Sequence, residues 1–122
     1  MATLSLKKTT PRVEAMRQES RQPIDDITWR WLIKDYPELF RNPRKPKPLK
    51  QGLFKELLEV RPANISKSSL RRVLGRWCTR RQYLESLERG GERYGLSGPE
   101  GEVKPHHMVD AVRRLERLEE TN

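Results

Sequence analysis

The sequence predicts an α+β fold that is mainly helical, with about five helices and one short β-hairpin. Apolar residues recur at helical spacing in several separate stretches, which is typical of amphipathic helices that pack on a shared core. Three prolines between residues 43 and 48 preclude a regular helix there. Between residues 90 and 101, glycines recur in a pattern that favours a hairpin. Its strands are expected over residues 93–96 and 102–103, with a turn over residues 97–101.

The chain divides into a predicted flexible basic arm over residues 1–24, a folded domain over residues 25–119 and a short tail over residues 120–122. The arm carries five basic and two acidic side chains and few bulky apolar groups. This composition is typical of segments that do not pack a core. Asp25 and Asp26 are expected to start the first helix, because carboxylates suit the positive end of a helix.

Each predicted helix carries an apolar stripe at helical spacing. The first places Ile27, Trp31 and Leu32 on its apolar face, and Pro37 interrupts it. The others are expected from about Leu49 to Val60, from Ser66 onward, from about Thr79 to Glu88, and after Pro105.

A surplus of positive charge indicates the kind of partner. Lys and Arg number 26 against 17 Asp and Glu, giving a formal net charge of +9. Such a surplus favours a polyanion, because each phosphate that a protein neutralises releases condensed counterions. The single cysteine, Cys78, excludes an internal disulfide, which suits a reducing compartment. With no apolar run of the ~20 residues that span a membrane and no secretory signal, a cytoplasmic protein without a membrane partner is expected.

The region that begins at Ser66 has the strongest signal for binding. Ser66 is a predicted N-cap whose hydroxyl accepts from a backbone N–H two or three residues on, and free amides in the first turn attract an anion. Lys67 and Arg71 fall on one flank of the apolar stripe, whereas Arg72 and Arg76 lie on the opposite, solvent side. Taken alone, an ordinary capped helix explains this pattern better than a phosphate site.

Two residues further on have both a structural and a functional interpretation. Tyr83 is expected either to pack in the core or to contact nucleic acid, by stacking on a base or through its phenol. Arg93 is expected either to form bidentate hydrogen bonds with a phosphate or to form a structural ion pair.

Patterns for catalysis are weak. Adjacent His106 and His107 point about 100° apart on a helix, so they do not readily share one metal ion. No cluster of carboxylates suggests two-metal nuclease chemistry, and no glycine-rich loop matches a P-loop. We therefore expect no enzymatic activity, no metal, no cofactor and no small-molecule substrate.

An ordered set of motifs resembles the ProQ/FinO domain of bacterial RNA chaperones. The match covers about residues 27 to 118, and it is specific because both the order and the spacing of the motifs agree. It implies a mixed α/β domain of helices and one short hairpin. The matching motifs are YPELF at 36–40, KPLKQGL at 47–53, SKSSLR at 66–71, YL at 83–84, GERYGLSG at 91–98 and GEV at 101–103.

The resemblance also implies a site. In this family the 3′ end of a structured RNA, typically a terminator stem-loop with a single-stranded U-rich tail, lies in a pocket made by a helix N-terminus, a tyrosine and an arginine. Those roles fall on Ser66, Lys67, Ser68, Tyr83 and Arg93. The residues expected to contact the RNA backbone are Lys50, Arg71 and Arg113, which match family positions, and Arg72, Arg76, Arg80 and Arg81, which lie nearby.

Three positions depart from the family's pattern. Gly75, Gln82 and Val112 stand where members of the family carry arginine, so the footprint of the RNA is expected to shift toward the neighbouring arginines. The expected function is that of an RNA chaperone that binds small RNAs and mRNA 3′ ends as a monomer in post-transcriptional regulation. Two alternatives stay open: a helical DNA-binding module, and an adaptor whose basic face binds an acidic protein.

Overall fold

The computed structural model describes residues 11–121, with side chains over residues 22–120. Within that range the chain is mainly helical with one two-stranded antiparallel sheet, which confirms the predicted fold class. None of the described helices has the length and apolar character needed to cross a membrane. The elements are α1 (Pro11–Asp35), α2 (Pro37–Phe40), α3 (Leu53–Val60), α4 (Lys67–Cys78), α5 (Arg81–Arg89), β1 (Glu92–Gly95), β2 (Gly98–Glu102) and α6 (Pro105–Thr121).

Helix α1 begins at Pro11 and runs through Pro23. Pro11 takes the first helical position, which suits proline, whereas Pro23 lies inside the helix and leaves one of its backbone hydrogen bonds unmade. The predicted helix start at Asp25 is therefore wrong, and the part of the predicted arm over residues 11–24 is helical. Residues 1–10 lie outside the described range.

Asp25 is a buried acceptor rather than a cap, and it joins α1 to α4. Its carboxylate, 3% exposed, accepts hydrogen bonds from Ser69 Oγ at 2.7 Å and from Arg72 Nη2 at 2.9 Å. Arg76 Nη2 donates to its second oxygen. The Thr28 hydroxyl lies 2.6 Å from that of Ser69. This polar network fixes which side of α1 faces α4.

The orientation of α1 decides its apolar face. Ile27 was predicted to be buried, but it is 43% exposed, because the network turns Asp25 and Thr28 inward instead. Trp29 packs against Trp77 of α4 at 5.3 Å between ring centroids. Phe40 of α2 lies 5.4 Å from Trp77. The short helix α2, which the sequence prediction omitted, follows from Pro37 at its first position.

The segment before α3 is extended. Leu49 pairs with Tyr94 in a parallel bridge, with Lys50 N–H donating to Tyr94 O at 2.9 Å and Tyr94 N–H to Pro48 O at 2.8 Å. Gly52, at φ +86°, turns the chain into α3. The predicted helix start at Leu49 is therefore wrong: an apolar residue that fits a helical stripe is used as a strand residue.

The hairpin is tighter than predicted. Gly95 pairs with Gly98, so only two residues form the turn, and most of the predicted turn belongs to β2. Pro99 is tolerated because β2 is the edge strand of this sheet.

Helix α4 begins as predicted, with Ser66 as N-cap accepting from Ser69 N–H at 3.1 Å. Helix α5 begins at Arg81, two residues after the predicted start, because Thr79 caps α4 and its hydroxyl donates to Gly75 O. Helix α6 packs on α5 and buries Ala111 and Leu115.

We expect Asp25→Asn to lower the free energy of unfolding by about 1–3 kcal/mol, because it leaves two arginines without their shared charged acceptor. Asp26→Asn, on the exposed neighbour in the same helix, is the matched control. Urea titration at neutral pH measures both, and equal stability of the two variants would contradict the structural role of Asp25.

The same substitution has a defined pH dependence. Burial alone raises the pKa of Asp25, but hydrogen bonds from Arg72 and Ser69 and the charges of Arg72 and Arg76 outweigh it and hold the pKa below its ordinary 3.8. The carboxylate therefore stabilises the fold above that pH, and its contribution is lost as the pH falls through the lower folded-state pKa. The stability difference between Asp25→Asn and the native chain should accordingly shrink in acid.

Candidate nucleic-acid interface

An open groove with a volume of about 370 Å³ lies between α3 and α4, and we call it the α3–α4 groove. Three of its lining residues are basic, and none is acidic. Its lining comprises Leu49, Lys50, Gly52, Leu53 and Phe54 on one side, Arg71, Leu74, Gly75 and Cys78 of α4 on the other, and Tyr83 and Arg93.

The backbone of Leu49 forms part of this groove and is held from both sides. Its N–H donates to the Tyr83 hydroxyl at 3.0 Å, and its carbonyl accepts from Arg93 Nη1 at 2.7 Å. Tyr83 comes from α5 and Arg93 from β1, so these two side chains connect α5 and the hairpin to the segment that leads into α3. We call this set of contacts the Leu49 clamp.

Tyr83 is a core residue. It is 4% exposed, so of the two interpretations the structure favours core packing, with the hydroxyl bonded to Leu49 at the groove. Burial, with the neighbouring Cys78 thiol, raises the pKa of the phenol to about 12. The phenol therefore stays neutral at physiological pH and accepts the Leu49 N–H.

Arg93 is buried as well, with 8% of its surface exposed. Besides Leu49, it contacts His107 of α6, with Nη2 3.2 Å from Nδ1. Because an arginine only donates, Nδ1 of this histidine must be the acceptor of that hydrogen bond. The alternative of a structural ion pair for Arg93 is not what the structure has: its partners are a carbonyl and a neutral ring. Its Nε, also buried, has no partner among the described residues.

Lys50 and Arg71 provide the more accessible charges of the groove. Lys50 Nζ lies between two carboxylates, 3.0 Å from Glu100 and 3.1 Å from Glu56, and hydrogen bonds to Glu100 and Glu56 raise its pKa. The guanidinium of Arg71 lies over the Phe54 ring at 5.5 Å. Arg71 is therefore a charge that no described carboxylate neutralises, held in place by an aromatic face.

The part of the predicted site at the N-terminus of α4 lies next to this groove rather than within it. Helix α4 lines the groove from Arg71 onward, whereas Ser66, Lys67 and Ser68 are exposed in the preceding turn. Lys67 precedes Arg71 by four residues, so both lie on the same face of α4. The structure thus gathers Tyr83, Arg93, Lys50 and Arg71 at one groove and leaves the first turn of α4 outside its lining.

The other predicted backbone contacts lie elsewhere. Arg72 and Arg76 share Asp25, so their predicted solvent-facing role is wrong for Arg72, which is half-buried, and only partly fulfilled by Arg76. Arg80 lies over the Trp77 ring at 4.0 Å and donates to Pro43 O. Arg81 is 3.9 Å from Glu119 of α6, and Arg113 is exposed on α6. The number of basic residues in a sequence does not show which of them hold the fold together and which are available to bind a ligand.

Several groove residues were not predicted. Leu49, Phe54 and Leu74 had the signal of core residues, and His107 had been considered only for metal binding. Gly75 had been noticed as a departure from the family's pattern. A Cβ at that position meets nothing within 4 Å, so the groove is open at Gly75.

A small, mainly helical domain with a basic groove is suited to a polyanionic ligand, and comparison with known proteins defines it further. The sequence model of the ProQ/FINO family matches residues 24–122. The chain therefore belongs to this family, which confirms the resemblance noted from its motifs.

Relatives in the family carry the name RNA chaperone ProQ. The chain is 34% identical over 93 residues to that of Shewanella oneidensis, and the match covers 74% of this chain and 44% of the relative. It is 32% identical over 93 residues to that of Aeromonas salmonicida, with the same coverage. The chain thus spans less than half the length of the curated relatives that it matches.

Solved structures resemble it along most of their length. The crystal structure of a FinO-like RNA chaperone from Neisseria meningitidis superposes with a TM-score of 0.68 at 26% identity, covering 85% of this chain and 86% of that one. The solution structure of a ProQ homolog from Legionella pneumophila gives 0.62 at 25% identity, covering 80% and 81% of the two chains.

We expect Tyr83→Phe to lower the free energy of unfolding by about 1–2 kcal/mol, because the Leu49 N–H loses its acceptor while the ring still fills the core. The Leu49 amide should exchange with deuterium faster than in the native chain. Tyr36→Phe, at a half-buried tyrosine outside the groove, is the control, and unchanged exchange at Leu49 in Tyr83→Phe would contradict the clamp.

Proposed function

We propose that this chain binds structured RNA as an RNA chaperone, with the RNA in the α3–α4 groove. The observation that carries the proposal is the groove's composition: Lys50, Arg71 and Arg93 line it and no acidic residue does. The net charge of +9 extends this attraction over the whole molecule. Membership of a family with members named RNA chaperones favours RNA over other polyanions.

The basic residues of the groove differ in how readily each can contact a phosphate. Arg71 offers a guanidinium to a phosphate without first breaking an ion pair to a described carboxylate, so it contributes most directly. Lys50 has to exchange its ion pairs with Glu56 and Glu100 for a phosphate, so its contribution to RNA affinity is smaller. Shape and charge then give affinity for a stem, because A-form RNA is recognised mainly through its phosphates and 2′-hydroxyls.

The 3′ end of the RNA binds at the first turn of α4. The early amides of a helix have no intrahelical acceptor, and Ser66 Oγ already satisfies that of Ser69, so the amides of Lys67 and Ser68 remain for an anion or hydroxyl. The Lys67 side chain adds a full charge beside them. Tyr83 and Arg93 act mainly by holding Leu49, so that the floor of the groove is rigid before RNA arrives.

The ligands follow from these parts. A terminator-type stem-loop with a single-stranded 3′ tail presents both a duplex and a free end, as small RNAs and mRNA 3′ ends do. Binding would shield that end from exonucleases, which suits post-transcriptional regulation in the cytoplasm by a monomeric protein without enzymatic activity.

We expect Arg71→Ala to weaken binding of a terminator hairpin by about 1–3 kcal/mol, roughly 5- to 150-fold in Kd. Arg89→Ala removes the same charge from an exposed position at the end of α5 and should change Kd much less. Fluorescence anisotropy at one fixed salt concentration compares the two. Equal losses would mean that the protein attracts RNA by charge alone, and the groove would not be the site.

Replacing the 3′ hydroxyl of the hairpin with a phosphate should weaken binding, because the phosphate group is larger than the terminal hydroxyl that the first turn of α4 is proposed to accommodate. Lys67→Ala should reduce the difference between the two RNAs, whereas Arg113→Ala, an exposed arginine of α6, should leave it intact. Competition assays with the two hairpins provide the measurement, and indifference of the native chain to the 3′ group would refute the proposed end recognition.

A duplex DNA of the same sequence serves as a competitor in the same assay. If it displaces the hairpin as well as unlabelled RNA does, the chain is a general nucleic-acid binder. If no RNA binds at low salt, an acidic protein becomes the better candidate for the partner.

A further inference from the structure

A second groove, with a volume of about 460 Å³, lies between the α1–α2 region and another face of α4, and we call it the aromatic groove. It shares no lining residue with the α3–α4 groove. Its residues are Trp29, Ile33, Phe40, Arg41, Pro43, Arg76, Trp77 and Arg80.

The groove combines aromatic rings with arginines. Trp29 and Trp77 lie 5.3 Å apart, and Phe40 lies 5.4 Å from Trp77, so three rings form one continuous aromatic wall. The Arg80 guanidinium lies 4.0 Å over the Trp77 ring. Trp29 is only half-buried, so part of this wall is open to a ligand.

Buried donors in the groove lack acceptors. Trp77, 3% exposed, has an indole N–H without a partner among the described residues, and Arg80 has Nε and Nη2 in the same state. A buried donor without an acceptor is costly, and each such group calls for an explanation. All three atoms are donors on side chains that line the groove, so a ligand that reached them would have to supply acceptor oxygens or nitrogens.

The charge of the groove indicates an anionic ligand. Arg41, Arg76 and Arg80 line it, and no acidic residue does; Asp25 balances only part of the charge of Arg72 and Arg76. The adjoining segment adds the exposed Lys45. The chain's own residues 1–10 are a poor occupant, because they carry two lysines and no acid.

We propose that the aromatic groove is a second RNA site, which takes a single-stranded segment while the α3–α4 groove holds a stem. A site for unpaired nucleotides combines three features: an aromatic wall, unpaired donors and positive charge. A base stacks on an aromatic side chain, its acceptor atoms accept from the donors, and arginines bind the phosphates. This inference rests on the proposed function, because it takes RNA as the polyanion.

An oligocytidine RNA with a 3′ phosphate tests the proposal, because it forms no stem and offers no free 3′ hydroxyl to the first site. It should quench tryptophan fluorescence of the native chain, and it should still bind when the α3–α4 groove is saturated with hairpin. Arg41→Ala should weaken oligocytidine binding about tenfold, in line with the loss of one phosphate and stacking contact.

Two matched variants make the outcome specific. Arg44→Ala removes an exposed charge from the same segment, but Arg44 does not line the groove, so it should retain binding. Arg71→Ala should weaken the hairpin and spare oligocytidine. Equal losses in Arg41→Ala and Arg44→Ala, or displacement of oligocytidine by the hairpin, would overturn the second site while leaving the first intact. Failure of the native chain to bind either RNA would instead refute the proposed function.

Discussion

The backbone of Leu49 is hydrogen-bonded on both sides by side chains from distant parts of the chain. The Tyr83 hydroxyl accepts its N–H, and Arg93 donates to its carbonyl. On either side of Leu49, the backbones of Pro48 and Lys50 also bond to Tyr94. These contacts connect the end of the proline-rich segment to α5 and the hairpin, and so help to position one wall of the α3–α4 groove. The groove thus depends on two buried polar side chains, Tyr83 and Arg93, whose hydrogen-bond partner is the Leu49 backbone.

Helix α4 organises the remaining charges because different faces of it meet different neighbours. One face, with Arg71, lines the α3–α4 groove. Another places Arg72 and Arg76 on the buried carboxylate of Asp25, where they hold α1. A third, with Arg76 and Trp77, lines the aromatic groove, where Arg80 at the start of α5 lies over the Trp77 ring. Arginine therefore lines a groove at position 71, holds a buried carboxylate at position 72 and stacks on an aromatic ring at position 80, and its surroundings decide which role it has.

Much of this was accessible from the sequence. The fold class, the N-cap at Ser66, the stripe of α4 and the family followed from periodicity and motif order, because these signals are local or survive divergence. The site was only partly predictable. Basic residues flanking the stripe were identified, and Tyr83 and Arg93 were expected at the site. The sequence did not show that both are buried in the lining of the groove, where they hydrogen-bond the Leu49 backbone.

The sequence by itself determined that this is a basic, mainly helical domain whose fourth helix starts at a serine cap and presents Lys67 and Arg71 on one flank. Only the tertiary structure decided that Leu49 is a strand residue, that Asp25 is buried inside a helix, and that Gly75 opens a groove. The physical reason is distance along the chain. Tyr83 and Arg93 meet Leu49 across 34 and 44 positions, and Asp25 meets Arg72 across 47. Helical periodicity reports which face of an element is apolar, but it contains no information about which distant polar group will complete a buried hydrogen bond.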